Sequence, residues 1–339
     1  MPDPSVHGLI EVVRGRLTGE RAEQLVRFWT GHGALDEAAA RERLTEVVCV
    51  LLDDADEIVG VNSVFPSGVD RVGGRTFWIY RNFLSPGVSD AAAAMIRAAF
   101  SALEAEFDAS GDGPIGLCVL VAEPAEMQRR PEAEWADPAM IYAGYLADGR
   151  QVRIAYFRQA RIAPGESRVM ASWDLEGRYR AHLFPEQEAV DAQAVIDLWA
   201  REGVVGAEEA QRRVDEMLFI ATDEAGDPVG ISSVYLQHNE QLRMDLWYYR
   251  VFVAAAHRQS NIGVALSMMA RDHLQDRFVT GQDQRAAGMI MEIENEGLKR
   301  AYNLALWLPT EFRFMGENER GDHVRVRYFP GALAPAPSG

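Results

Sequence analysis

The stretch LWYYRVFVAAAHRQSNIGVA, Leu246 to Ala265, carries three local signals in one short run. Trp247 to Val253 is aromatic and β-branched, the composition of a strand. His257 to Gly263 is polar and ends in glycine, as a tight loop does. Val264, Leu266, Met268 and Met269 then run into Asp272, His273 and Leu274, which suits a helix over Ile262 to Gln275. A strand that stops at a loop and feeds a helix leaves free backbone N–H groups pointing outward, a ready site for an anion. The helix dipole and the fixed charge of Arg258 add to it.

Working outward, the same pattern occurs twice. Phe28-Trp29 matches Leu198-Trp199 at a shift of 170, and Val59-Gly60-x-x-Ser63-Val64-Phe65 matches Val229-Gly230-x-x-Ser233-Val234-Tyr235 at 170. Trp78-x-Tyr80-Arg81-x-Phe83 matches Trp247-x-Tyr249-Arg250-x-Phe252 at 169. Val152-Arg153-Ile154-x-Tyr156-Phe157 matches Val324-Arg325-Val326-x-Tyr328-Phe329 at 172. A near-constant shift over four stretches means a duplicated domain. The domains divide as residues 1–161, a connection at 162–178, residues 179–330, and a flexible tail at 331–339.

In the first copy, strands are expected at Leu9–Val13, Val47–Leu52, Ile58–Phe65, Arg75–Leu84, Gly116–Val121, Met140–Leu146 and Gln151–Phe157. Helices are expected at Glu20–Thr30, Asp36–Leu44 and Ala91–Phe107, the last capped by Ser89 or Asp90. The connection holds Pro164-Gly165 and a further strand at Arg168–Trp173. The second copy reads as strands at Tyr179–Phe184, Met217–Thr222, Pro228–Leu236, Arg243–Ala254, Met289–Ile293, Phe312–Met315 and His323–Phe329. Its other helices are expected at Glu186–Glu202, Glu208–Glu216 and Glu296–Trp307.

Arg258-x-x-Asn261-x-Gly263 resembles the pyrophosphate loop of the GNAT superfamily of N-acetyltransferases, Arg/Gln-x-x-Gly-x-Gly/Ala. Asn261 stands where the first glycine is expected, and Asn is the non-glycine residue that best tolerates positive φ. Asn295-Glu-Gly-Leu298-Lys-Arg-Ala301-Tyr302 resembles a second family motif, Asn-x-x-Ala-x-x-x-Tyr, on the helix after the fifth strand. The resemblance implies a mixed α/β fold with one central sheet per copy, and acetyl-CoA or another acyl-CoA as cofactor. It implies a cofactor set of Val251, Phe252, Val253, Arg258, Gln259, Ser260, Asn261, Ile262, Gly263, Val264 and Asn295. A β-bulge at Val251–Val253 would offer a backbone N–H to the acyl carbonyl, and Tyr302 would protonate the leaving thiolate.

The copies differ at these positions. The first has Gly87-Val88-Ser89-Asp90-Ala91-Ala92 in place of the loop, with no arginine and with Asp90 facing any phosphate. Near the Tyr302 position it has Arg129-Arg130-Pro131. The first copy is therefore expected to serve as scaffold, and the working site falls to the second. Two-domain members of the family it resembles are built that way.

Acyl transfer to an amine also needs a base. Glu292 and Glu294 alternate with Met291 and Ile293 and so share a face of their strand, with Asp245 and His257 as weaker candidates. Both glutamates also read as ion-paired strand-end residues. Arg81 and Arg250 fall at matching positions, which suggests a structural pairing with a carboxylate between the domains. Trp78 and Trp247 read as core, and His238 as a loop residue near the cleft.

The net charge of −17 disfavours nucleic acid and anionic membranes as partners and suits cationic or neutral substrates; the family resemblance implies a small-molecule or peptide amine as acceptor. An aminoacyl-tRNA-dependent ligase, which would need a basic face, is disfavoured for that reason. A CoA-binding or interaction protein without turnover is the other alternative. Cys49 and Cys118 lie in apolar runs and read as reduced, buried thiols of a cytoplasmic protein, with no metal set around them. No apolar run reaches spanning length, and Met1 to Gly8 lacks the layout of a signal peptide.

Overall fold

The computed structural model describes residues 8–168, 175, 177–184 and 191–337. The chain forms two compact units, Met1–Ala160 with Ala336–Gly339, and Arg161–Pro335.

The first unit runs β1 (Leu9–Val12), α1 (Gly19–Gly31), α2 (Glu37–Arg43), β2 (Val47–Leu52), β3 (Ile58–Val69), β4 (Arg75–Leu84), α3 (Ala92–Ser110), β5 (Gly116–Val121), α4 (Pro124–Arg129), β6 (Glu134–Ala136), β7 (Ala139–Tyr145) and β8 (Gln151–Tyr156). They form one sheet in the order β1-β2-β3-β4-β5-β8-β7-β6. The second unit runs β9 (Arg180–Leu183), α5 (Ala192–Arg201), α6 (Ala207–Arg213), β10 (Met217–Thr222), β11 (Pro228–Asn239), β12 (Met244–Val253), α7 (Ile262–Val279), β13 (Gly288–Ile293), α8 (Glu296–Ala301), β14 (Leu306–Trp307), β15 (Phe312–Glu317) and β16 (His323–Tyr328). Its sheet, β9-β10-β11-β12-β13-β16-β15-β14, repeats the first order position by position.

Strand alternation sends each sheet's side chains to two cores. In the second unit Trp247, Tyr249 and Met289 face α7, packing on Ile262, Leu266, Ala270 and Leu274. Ile220, Ile231 and Phe252 face the other way, onto Val195, Leu198 and Trp199 of α5 and Ala210 of α6. The first unit packs Leu25, Phe28 and Trp29 of α1 on Val50, Val61 and Phe83 in the same way.

Several devices occur once per unit. Asn62 Oδ1 accepts the Cys49 N–H at 2.9 Å, and Ser232 Oγ accepts the Phe219 N–H at 3.2 Å. Each stitches a register break in the strand pair around it. Arg81 pairs with Glu46 and lies over Phe65; Arg250 pairs with Glu216 at 2.7 Å and lies over Tyr235. The carboxylate partner is thus inside each unit, which corrects the expected pairing between domains. Arg153 and Arg325 are both 0% exposed. Arg153 stacks on Trp135 and reaches the Glu132 carbonyl, while Arg325 stacks on Trp307 and reaches the carbonyls of Leu304 and Ala305. Gly116 and Gly288 open β5 and β13 where a Cβ would collide with the backbone carbonyls of Ala155 and Arg327.

The expected helix over Glu296–Trp307 stops at Ala301. Tyr302 is its C-cap, with φ −126° and ψ 61°. The reason is tertiary: Trp307 Nε1 takes the Tyr302 carbonyl at 2.8 Å, and Arg325 takes that of Leu304 at 2.8 Å. These carbonyls face away from a helical ladder, and Leu306–Trp307 pairs with β15 instead. Neither Ser89 nor Asp90 caps α3, whose N-cap is Ala91 with no side-chain bond. His238 lies within β11 rather than on a loop, bonded to Asp245 at 2.9 Å.

The expected connection begins by docking on the second unit. The Ile162 N–H bonds to the Asn303 carbonyl at 2.9 Å, and the Arg168 N–H to that of Ala301 at 2.7 Å. The strand expected at Arg168–Trp173 and the helix start at Glu186 fall at 169–174 and 185–190, outside the described residues. At the far end Ala332 is buried and bonds back to Phe329 at 3.0 Å. Among the described residues no helix is long and apolar enough to cross a membrane.

Candidate functional site

The second unit's sheet parts in its middle. Parallel β12 and β13 pair only at Trp247↔Met289 and Tyr248↔Ile290. Beyond Tyr248, β12 stays paired with β11 as far as Val253↔Gly230, while β13 turns to β16. Asp245 accepts a bond from Ala287 on the β13 side, and the Ala254 N–H bonds Val229 on the β11 side. By the two-residue alternation of a strand, Val251 and Val253 therefore turn their backbone groups into the gap. Val251 is also 42% exposed. Phe252 is turned the other way: its backbone faces β11 and its ring packs toward α5.

No β-bulge interrupts β12 here, because its register with β11 runs unbroken from Met244 to Val253. The expected bulge is replaced by the parting of the strands. Free donors come from the unpaired edge rather than from a local kink.

The gap leads to the loop. Ala255–His257 forms a single 3₁₀ turn and α7 starts at Ile262. Asn261 is the N-cap with φ −85°, so its position needs no left-handed backbone, contrary to the reason given for an asparagine there. Ser260 Oγ bonds the His257 carbonyl at 2.5 Å and receives the Ile262 N–H at 3.4 Å. Gly263 and Val264 follow in the first turn, where N–H groups have no carbonyl four residues back. A Cβ built on Gly263 would meet only Val253 Cγ2, at 3.8 Å. The protein itself therefore does not require glycine at this position, which leaves room for a close approach from outside.

Arg258 and Gln259 are exposed. Among the described residues the only side-chain bond of Arg258 is Nε to the Val253 carbonyl at 3.1 Å, which folds the guanidinium back over the gap. The loop is also held by a contact with no sequence signal. Tyr179 Oη lies 3.0 Å from His257 Nδ1, with the two residues 78 positions apart. That bond occupies one ring nitrogen of His257, a weaker base candidate.

Tyr302 sits past α8, its ring edge-on to Trp307 at 6.2 Å and packed beside the α7-facing core. Its hydroxyl makes no hydrogen bond to the described residues and is not sealed off. The Asn295 side-chain oxygen caps α8 by accepting the Leu298 N–H at 3.0 Å. Glu292 and Glu294 do not share a strand face as expected, because β13 ends at Ile293. Glu292 faces away from α7 and pairs with Arg320 at 3.1 Å, and Glu294 stands 3.8 Å from the same guanidinium. Asp245 is bonded to His238.

The first unit has the same parting, with β4 and β5 paired only from Trp78 to Tyr80. Its equivalent of Tyr302 is Arg130, the C-cap of α4 at φ −130° and ψ 68°, whose carbonyl receives Trp135 Nε1. A guanidinium supplies no proton at neutral pH.

No family profile matches the chain, and no curated protein matches it. Solved structures are similar in fold over about one unit. An acetyltransferase of the GNAT family from Streptococcus pneumoniae shares 11% identity over 45% of this chain and 99% of its own, with a TM-score of 0.32. The ribosomal-protein-S5-alanine acetyltransferase from Vibrio fischeri shares 12% over 46% and 95%, with a TM-score of 0.32. Arabidopsis thaliana NAA60 in complex with acetyl-CoA shares 13% over 45% and 98%, with a TM-score of 0.29. The basis for assigning the fold lies in the element order, the strand order and the parted central strands. By these the chain is a tandem pair of domains with the GNAT acetyltransferase fold, one sheet in each.

Proposed function

We propose that the second unit transfers an acyl group, acetyl in the first instance, from acyl-CoA to the amine of a small molecule or peptide. One observation carries this reading. The unpaired edge of β12 leads through the Ala255–His257 turn and the loop after it to the first turn of α7, where the space beside Gly263 meets only Val253 Cγ2 at 3.8 Å. An extended amide-bearing arm fits the edge and a diphosphate fits the turn. When bound, acyl-CoA supplies the activated thioester.

The chain's own residues divide the remaining work. The backbone N–H groups of Val251 and Val253 orient the arm in the gap. Those of Gly263 and Val264, with the dipole of α7 and the charge of Arg258, neutralise the diphosphate. Tyr302 holds a proton on the α7 side for the departing thiolate. Glu292 takes the proton of the amine from the opposite face, once the exposed Arg320 gives way. Glu294, beyond the strand, is left out of the base role. Asn295 acts on this site indirectly, by fixing where α8 begins.

Calorimetric titration with acetyl-CoA and with free CoA tests the proposal. One site per chain, weakened by Gly263→Glu, is expected. Two sites would overturn the assignment to the second unit alone. No binding would remove CoA chemistry from the protein, and binding without turnover on any amine would leave a CoA-binding protein.

A further inference from the structure

Tyr302 keeps a non-helical backbone because the groups around it are bonded elsewhere. Its own N–H bonds the Leu298 carbonyl at 2.9 Å, and its carbonyl takes Trp307 Nε1 at 2.8 Å. The carbonyls on either side of it, of Ala301 and Asn303, accept the N–H groups of Arg168 and Ile162. Arg161 and Leu304 continue that contact as an antiparallel bridge. The Asn303 side chain, 0% exposed, fastens it: Nδ2 lies 3.0, 3.4 and 3.3 Å from the carbonyls of Ala163, Pro164 and Gly165. Gly165 makes the turn there with φ +105°. Residues 162–168 thus form a strap along the backbone that carries Tyr302.

A second bond acts on the loop from the other end of the connection. Tyr179 Oη lies 3.0 Å from His257 Nδ1, with the rings edge-on at 5.6 Å and the Tyr179 ring packed beside the α7-facing core. The His257 carbonyl holds Ser260 Oγ, which receives the Ile262 N–H, so the bond reaches the first turn of α7 in two steps. The duplication supplies a comparison. Matching strand pairs and turn bonds put Gly8 at the place of Tyr179 and Val88 at that of His257. Pro131 follows Arg130 where Asn303 follows Tyr302. None of the three has a side chain that can make these bonds. The first unit therefore keeps the sheet and lacks both devices.

We propose that the two ends of the connection position the two halves of the second unit's site. Asn303 and the strap aim Tyr302, and Tyr179 holds the loop before α7 through His257. The inference rests on the acyl-CoA reading above. The Tyr302 hydroxyl has no bond of its own to the described residues, so its aim is inherited from its backbone. A displacement of about 1 Å at a reacting group costs about a hundredfold in rate. A loop ordered before its ligand arrives loses less freedom on binding. Asn303 and Tyr179 are positioning residues; neither is placed against the cofactor.

The test titrates the full chain, labelled with ¹³C on its tyrosine rings, with acetyl-CoA. The Tyr302 signal is assigned by Tyr302→Phe, and acetyl-CoA should move it saturably in the parent protein. Asn303 Oδ1 meets no donor among the described residues, and Pro164 and Gly165 are exposed. Asn303→Leu therefore removes an unpaired acceptor with the donor and leaves two of the three carbonyls to water. It should displace the Tyr302 signal in the free protein and abolish most of its response to acetyl-CoA, with Kd unchanged. Gly165→Ala, a strained substitution in an exposed turn, should act in the same direction more weakly, and decides the matter if Asn303→Leu does not fold. Tyr179→Phe keeps the ring and should raise the acetyl-CoA Kd about two- to tenfold, the range of one neutral hydrogen bond, with the full Tyr302 response at saturation. Added to His257→Phe, the same change should have no further effect. A general loss of stability would move both readouts together. Variants that move both readouts or neither overturn the proposal, as does a parent that binds acetyl-CoA without moving Tyr302. A parent that binds no acetyl-CoA would instead refute the donor reading, and this inference with it.

Discussion

Gly263→Ala separates stability from binding, because the two should move in opposite directions. The new methyl would meet Val253 Cγ2 at 3.8 Å, an ordinary contact, and nothing else within 4 Å. Gly263 is not among the residues with positive φ. Replacing glycine by alanine in a helix gains about 0.5–1 kcal/mol, with the lower end expected in a first turn. For a unit of this size that is a rise of about 2–4 °C per kcal/mol in the melting of the second unit, followed by scanning calorimetry. The same methyl stands where a diphosphate must approach the N–H groups of Gly263 and Val264. A charge-assisted hydrogen bond contributes about 1.5–3 kcal/mol, so losing one weakens acetyl-CoA by about tenfold to a hundredfold. Titration calorimetry reads this directly. Unchanged affinity would refute the placement of the phosphates, and a fall in stability would refute the open environment of Gly263.

Other expectations follow from the same geometry. Tyr302→Phe should lower acyl transfer by about a hundredfold or more while leaving acetyl-CoA affinity alone, measured as CoA release against calorimetry. Arg325→Leu removes a guanidinium 2.8 Å from the Leu304 carbonyl and 3.9 Å from the Trp307 ring centroid, and should cost the second unit about 2–4 kcal/mol in urea unfolding. Burial pushes the Cys49 thiol from 9.0 up to about 11 and the Cys118 thiol up to about 12. Below about pH 9 both folded and unfolded chains hold these protons. Between there and about 11 the unfolded chain releases them first, so stability falls as pH rises through that window. Thiol reagents at neutral pH should label neither cysteine until the protein unfolds.

The amino-acid sequence alone determined the duplication, the mixed α/β class and most strand limits. Val47–Leu52, Arg75–Leu84, Gly116–Val121 and Met217–Thr222 have the bounds their composition implies. These are properties of local pattern: apolar β-branched runs between turn residues, repeated at a near-constant shift. The turn between β12 and α7 was legible for the same reason, since its parts are neighbours in the chain.

Tertiary structure alone decided the rest. The helix after β13 ends at Ala301 because Arg325, 21 positions beyond Leu304, and the nearby Trp307 take the carbonyls a longer helix would need. The donors of β12 come from its parting from β13, and no stretch of sequence states how far two strands stay paired. Arg81 and Arg250 find their carboxylates within their own units, and Tyr179 reaches the loop across 78 positions. Residue pattern fixes which face of a strand or helix is apolar. Which distant group meets a given carbonyl or carboxylate depends on how those faces pack.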